Sequence, residues 1–531
     1  MTAAEARRFT RKERSWILYD WANSVYATNI MAAIFPTLFV SFAGERGDLW
    51  WGYATSLATL LTAVSAPFLG SLADFRGMKK KLFTAFMLLG VLATASIALT
   101  GNWRVMLVGY VLSHLGFSGA NLFYDSFLTD VTTNERMDKV STWGFAMGYI
   151  GGSTIPFVMS IAMLMVLGYS NPIAQKFSIL ITSAWWLVFS VPFLKNVEQV
   201  HFIERPQRLT LREVAGNTAR TARDIATHRG LLLFILAYFF YIDGVGTVIS
   251  ISTAYGTALG LGATGMILAL LVTQIVAMPS SILFGKLARR ITTRRALLMA
   301  IAVYMLICVV GFYMGYSLEP HQDAYREALG AQKAKSVESI AAYPFENPAA
   351  AGASLAAYVE AGGNMVLSGD FADGLLPELD LRGLGQADAA LAIAARDDVN
   401  AQLSAFTASQ AGVIARYREA IAFSTRLFWA MAIMVGTMQG GIQAVSRSYF
   451  GKLIPKKRSN EFFGFFDIFG KFATVIGPLL YAVVGGLTGR SSFGALCLAA
   501  LFLAGFVILL LARRPLERME REAALAAQAA E

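Results

Sequence analysis

Apolar residues in this chain come in long, nearly unbroken runs, with few of the amphipathic stretches that separate buried helices in a large soluble core. The runs cover roughly 16–43, 51–73, 82–100, 105–128, 141–167, 177–195, 230–257, 264–286, 296–316, 427–449, 461–483 and 492–512. Each reaches about 20 residues or more, enough to cross ~30 Å of hydrocarbon as a helix. The pattern predicts an all-α membrane protein with twelve transmembrane helices. Composition agrees, since 531 residues with 56% hydrophobic, 15% charged and a mean hydropathy of +0.53 are too apolar for a soluble protein of this length.

Charge sets the expected orientation. With the N-terminus inside, the inner segments hold 32 of the 45 Lys and Arg residues, while the short outer loops hold 5. That asymmetry places both termini in the cytoplasm, in what is expected to be a bacterial inner membrane. It also accounts for the net charge of +10 without a nucleic-acid partner, because the excess lies on inner loops beside anionic lipid. The first apolar run is too long for the core of a cleavable signal and reads as a helix. Cys308 and Cys497 fall inside apolar runs and suggest neither disulfide nor metal framework.

The chain repeats itself. GSLADFRGMKKKL (70–82) and GKLARRITTRRAL (285–297) match at an offset of 215, and GANLFYDSFLTD (119–130) and GIQAVSRSYFGK (441–452) at 322. The difference of 107 is accounted for by one insertion, the 108-residue stretch 317–424. The expected organisation is two six-helix pseudo-repeats, as parallel-repeat transporters have. Residues 1–195 form the first half, 196–229 a cytoplasmic linker, and 230–316 with 425–512 the second half. Residues 317–424 form an extracytoplasmic insert and 513–531 a cytoplasmic tail.

The stretch GSLADFRGMKKK resembles the loop signature of the major facilitator superfamily, Gly-x-Leu-Ala-Asp-x-x-Gly-x-Lys between helices two and three. In it Gly70 permits close helix packing, Gly77 a tight turn, and Asp74 can hold a neighbouring helix end while Lys79 and the other basic residues face the cytoplasm. WILYDWANSVYATNIMAAIFP (16–36), VSTWGFAMGYIGG (140–152), YFFYIDGVGT (238–247) and the run from Gly440 to Tyr481 are similar to the vacuole-effluxer branch of that superfamily. The resemblance implies a twelve-helix facilitator fold. Helices one, four, seven and ten would line a central cavity, flanked by two, five, eight and eleven. It further implies solute export, since fungal relatives are associated with amino-acid release from the vacuole. Facilitators of this kind are usually monomers. The long insert departs from the short loop usual at that position.

Charged groups within apolar runs are costly, ~2.5–3.5 kcal/mol at mid-bilayer, and mark candidate function. Asp243 lies at the centre of the seventh run beside Gly244 and Gly246. It reads as a substrate-amine contact or proton carrier, or as half of an ion pair locking two helices. Lys471 has Asp467 one turn away, so it either neutralises Asp467 or reaches toward Asp243. Asp20, Asp125 and Arg447 lie at similar depth near the inner side. The last two are opposite charges at repeat-equivalent positions, which suggests an inner gate paired when the cavity opens outward. Asn23, Asn121, Gln439 and Gln443 add amides and Tyr124 and Tyr241 add hydroxyls, a set suited to a small polar, amino-acid-like solute.

The insert carries 14 acidic and 7 basic residues. Amphipathic helices are expected near 320–342 and 386–422, with turn-rich YPFENPAAAG and GGNMVLSGDFADG between them. No metal-ligand spacing, nucleophile motif or phosphate loop is present, so neither an enzyme nor a cofactor is expected. The expected function is secondary-active transport of small polar solutes, with proton coupling as a feature of it. The rival is a sensor or scaffold that works through 317–424.

Overall fold

The computed structural model describes residues 8–43, 47–153, 155–168, 171–204 and 211–528. The first apolar run is not one regular helix. It comprises α1 (Arg11–Tyr26), a π-helical stretch (Ala27–Ala33) and α2 (Phe35–Ala43). The break falls just before Pro36, which has no N–H to continue the helical ladder. α1 opens on a capping box, with Thr10 Oγ1 accepting from the Glu13 N–H and the Glu13 carboxylate from the Thr10 N–H. Burial alone would raise the Glu13 carboxyl. The Arg136 guanidinium, the Thr10 N–H and the Thr132 hydroxyl outweigh it and hold the group below the ordinary carboxylate range.

The next spans are α3 (Gly47–Ala73), α4 (Met78–Ile97) and α5 (Trp103–Ser126), followed by one short turn, α6 (Leu128–Val131). α7 (Asn134–Ser153) and α8 (Ile155–Leu167) together make the fifth span, and α9 (Pro172–Asn196) the sixth. The linker contains its own helix, α10 (Leu211–Thr227). α11 (Arg229–Ala258), α12 (Ala263–Ile291), α13 (Thr293–Ala341), α14 (Pro348–Ser368), α15 (Gln386–Ser409) and α16 (Ala411–Leu453) follow. α17 (Ser459–Thr488), α18 (Ser491–Leu511) and α19 (Arg513–Gln528) complete the chain. Among the described residues eleven helical segments are long and apolar enough to cross a membrane. The broken first run makes the twelfth span. The tail is helix α19, anchored where Glu520 accepts from the Tyr449 hydroxyl.

Two spans run far beyond the apolar zone. α13 has 49 residues, about 74 Å at helical rise, and α16 has 43. Their far ends pair with α14 and α15 in a cap whose buried residues, Leu329, Leu355, Tyr358, Val359, Val399, Leu403 and Phe406 among them, are continuous with the core of the spans. Glu319 welds the cap to the spans by accepting from both the N–H and the hydroxyl of Ser492 at the start of α18. Gln322 Nε2 donates to the Ala258 carbonyl at the end of α11.

The cap corrects one expectation. GGNMVLS does not turn; it is the last stretch of α14. Gly362 and Gly363 are there for close approach, since a Cβ on them would lie 2.5 Å from Leu403 Cδ1 and 2.9 Å from Leu329 Cδ1. Gly362→Val is therefore expected to loosen the cap by about 1–3 kcal/mol. Limited proteolysis should then cut within 343–410 while the spans stay protected. Unchanged protection would mean that Leu403 repacks freely.

Candidate functional site

The two sets of spans are in close contact on the face that carries the basic loops. The loop repeat shows how. Gly70, near the end of α3, lies against the first turn of α17, where a Cβ would press into the Asn460 carbonyl and come within 3.1 Å of Glu461 Cα. Its repeat partner Gly285 on α12 lies equally close to Thr142 on α7. Each half thus uses one glycine to press a helix onto the other half. Gly77 adopts φ 72° and starts α4, a conformation that glycine reaches at little cost. Asp74 accepts from the N–H groups of Asn460 (2.9 Å) and Glu461 (3.1 Å) and from Asn460 Nδ2, all at the N-terminus of α17. That position suits a carboxylate, because helix-start N–H groups lack partners and carry partial positive charge. Lys79 does not face the cytoplasm as expected: it is fully buried and donates to Asp130 (2.7 Å) and to Ser459, because that carboxylate draws its ammonium inward.

Arg447 on α16 is the centre of a second cluster. Its guanidinium reaches Asp125 Oδ1 on α5 (2.8 Å) and Asp20 Oδ2 on α1 (3.4 Å), and donates to the Ser141 hydroxyl on α7 (3.0 Å). Tyr124 donates to the same Asp20 oxygen at 2.7 Å. Trp16 and Tyr124 stack on each other with centroids 4.4 Å apart, and with Phe145 they surround the cation. So Asp20, Tyr124, Asp125 and Arg447 come together, and the cluster crosses between the halves.

Sequence reasoning missed a third cross-half contact. Asp138, at the start of α7, accepts from Ser448 and Lys452 on α16, both at 2.5 Å, and from Thr293 at the start of α13. Its neighbours in the chain gave no signal, because its partners lie 155 to 314 residues away.

The remaining candidates are distributed. Asn23 donates to Asn121, joining α1 to α5. Tyr241 shares a hydrogen bond with Ser446 (2.6 Å), joining α11 to α16. Asp467 and Gln443 are half-buried, and the Lys471 side chain lies outside the described residues. Gln439 lines a mainly apolar cavity of about 110 Å³ inside the second half, with Gln274, Tyr255, Phe428 and Met431.

Asp243 does not face the seam between the halves. It is fully buried, and its Oδ1 accepts from the Gly477 N–H on α17 at 3.1 Å. Phe502 of α18 lies against the adjacent Gly244. Asp243 Oδ2 makes no hydrogen bond of ordinary geometry, although the Thr247 hydroxyl one turn on lies beside the carboxylate, and the group has no salt bridge among the described residues. Helix packing surrounds it, since glycines at 244 and 477 let the helices close on it.

The protein is an all-helical membrane transporter of the major facilitator class. The chain is similar over 96% of its length to the crystal structure of a bacterial homologue of the iron transporter ferroportin in an outward-facing state, with a TM-score of 0.55 and 13% identity across 98% of that chain. The proton:xylose symporter XylE matches 94% of this chain and 93% of its own, with a TM-score of 0.52 and 8% identity. At those identities the likeness is one of fold. In sequence, the chain is 37% identical to the MFS-type transporter YxiO of Bacillus subtilis (strain 168), over 95% of both chains. It is 19% identical to autophagy-related protein 22 of Eremothecium gossypii, over 88% of this chain and 84% of that one. The family described as "Vacuole effluxer Atg22 like" matches residues 50–136, 129–334 and 407–524, and the chain belongs to it. The unmatched stretch between 334 and 407 falls within the cap.

Proposed function

We propose that the protein exports small polar, amino-acid-like solutes by alternating access, driven by protons, with the basic face toward the cytoplasm. The observation that carries this reading is the Asp20–Arg447–Asp125 cluster. Charges from both halves, largely buried, are paired at one face only by the approach of the halves. Such a cluster is costly to keep apart unless water reaches it, so its opening and its hydration go together. That is the behaviour of a gate. Asp74 and Asp138 reinforce the same closure.

Asp243 supports proton coupling. Asp243 has no counter-ion among the described residues, and a buried carboxylate in that setting is far cheaper neutral than charged. When helix rearrangement brings water to it, the group exchanges its proton. Its distance from the seam favours a proton site over a substrate contact. Asn23, Asn121, Gln439 and Gln443 remain as polar partners for the solute along helices one, four and ten.

The test is uptake and counterflow in proteoliposomes with labelled amino acids and short peptides, with and without a pH gradient. Accumulation should collapse without the gradient, and Asp243→Asn should lose gradient-driven accumulation while keeping counterflow. Gradient-driven flux that survives Asp243→Asn overturns the proton role. A second reading, a sensor working through the cap, is favoured by one observation: the insert is a folded helical element whose buried residues run on into the core of the spans. Deleting 343–410 should then abolish a signalling output and leave flux intact.

A further inference from the structure

A cleft of about 790 Å³ opens on the basic face between the start of α4 and the chain that follows α9. Arg76, Lys80 and Lys81 line it, opposed by a single lining carboxylate, Glu198. Arg76 lies over the Phe202 ring at 5.1 Å and holds an exposed contact with Glu204 at 3.4 Å. Lys80 and Lys81 have no ion-pair partner among the described residues. The floor is not loose loop. Phe75 and Ile203 form a parallel β-bridge, with the Arg76 N–H donating to the Ile203 carbonyl at 3.0 Å. α4 itself starts at Gly77, which lines the cleft and offers no side-chain cap.

What enters such a cleft is indicated by the helix below it. Lys81, Ala85, Leu88 and Leu92 recur at the spacing of one helix face, and all four are exposed. Leu88 is 38% and Leu92 65% exposed on a helix apolar enough to span a membrane. That face meets acyl chains, so the lysines at its head stand at headgroup level. A soluble phosphate would use the lysines but has no use for the leucine stripe.

We propose that this cleft is a binding site for an anionic glycerophospholipid of the basic-face leaflet. Arg76, Lys80 and Lys81 hold its phosphodiester, Glu198 accepts from headgroup hydroxyls, and an acyl chain lies along Ala85, Leu88 and Leu92. The site is independent of which solute is carried. Its floor is the segment that carries Asp74, so headgroup binding braces the loop that holds α17.

Native mass spectrometry of the full chain tests this, with phosphatidylglycerol, phosphatidylethanolamine and inorganic phosphate offered separately. Phosphatidylglycerol should be retained in preference to the other two. In Lys80→Gln/Lys81→Gln its affinity should fall by about twenty-five-fold, taking roughly fivefold for each lysine. Lys456→Gln/Lys457→Gln, on another basic loop, should leave it unchanged. Equal loss in both double variants means diffuse attraction, and equal retention of phosphatidylethanolamine removes the need for an anionic headgroup. Displacement of the lipid by millimolar phosphate makes the ligand a soluble anion. Each of these results overturns the proposal. Should the double variant fold poorly, amine labelling of the unaltered protein decides: phosphatidylglycerol vesicles should shield Lys80 and Lys81 relative to Lys456, and phosphatidylcholine vesicles should not.

Discussion

Arg447→Gln should open the basic face and stop transport. The substitution keeps a polar side chain but leaves Asp20 and Asp125 beside each other without their cation. Removing one partner of a buried ion pair costs about 3–5 kcal/mol. The lower end applies here, because the Asp125 side chain is 31% exposed. A loss near 3 kcal/mol moves a closed–open equilibrium roughly a hundredfold. Spin labels at Lys81→Cys and Lys457→Cys, in a background without Cys308 and Cys497, should report a longer distance than in the unaltered chain. Arg447→Lys should not restore the short distance, since an ammonium cannot serve Asp125, Asp20 and Ser141 with a planar fork. Adding Asp20→Asn and Asp125→Asn to Arg447→Gln should recover part of it by removing the unpaired charges. An unchanged distance and flux in Arg447→Gln would mean that the cluster is not the clasp.

The repeat made the heart of that cluster readable in advance. Asp125 and Arg447 stand at matched positions of two similar segments with reversed charge, and reversed charge at matched depth is what an interface between halves requires. Asp138 was not readable, because its partners Ser448, Lys452 and Thr293 come from another half and no local pattern links them. The surroundings of Asp243 were unreadable for a different reason. Its depth is set by the length of the apolar run, but α11 is apolar nearly all round, so helical period could not say which neighbour the carboxylate meets. The spans themselves were legible because hydrocarbon thickness imposes a length on each. In the cap no such ruler exists, and glycines that pack α14 against Leu403 and Leu329 looked like turn formers.

Gly70→Ala should reach the open state by sterics alone. Its Cβ would enter the space of the Asn460 carbonyl and sit 2.9 Å from the carbonyl carbon. Both atoms are backbone in the first turn of α17, held by Asp74 through two main-chain N–H groups. Neither can rotate aside as a side chain would, so the halves must part by some tenths of an ångström along this seam. Overpacking of this kind costs about 1–3 kcal/mol, and all of it falls on the closed arrangement. Gly285→Ala meets the Thr142 side chain instead, and should do less. Gly77→Ala separates gate from fold. No atom lies within 4 Å of its Cβ, but φ is 72°. It should therefore lower stability by roughly 1 kcal/mol without lengthening the distance between the labels at positions 81 and 457. If Gly77→Ala opens the face as widely as Gly70→Ala, loop conformation, and not the glycine contact with α17, controls closure.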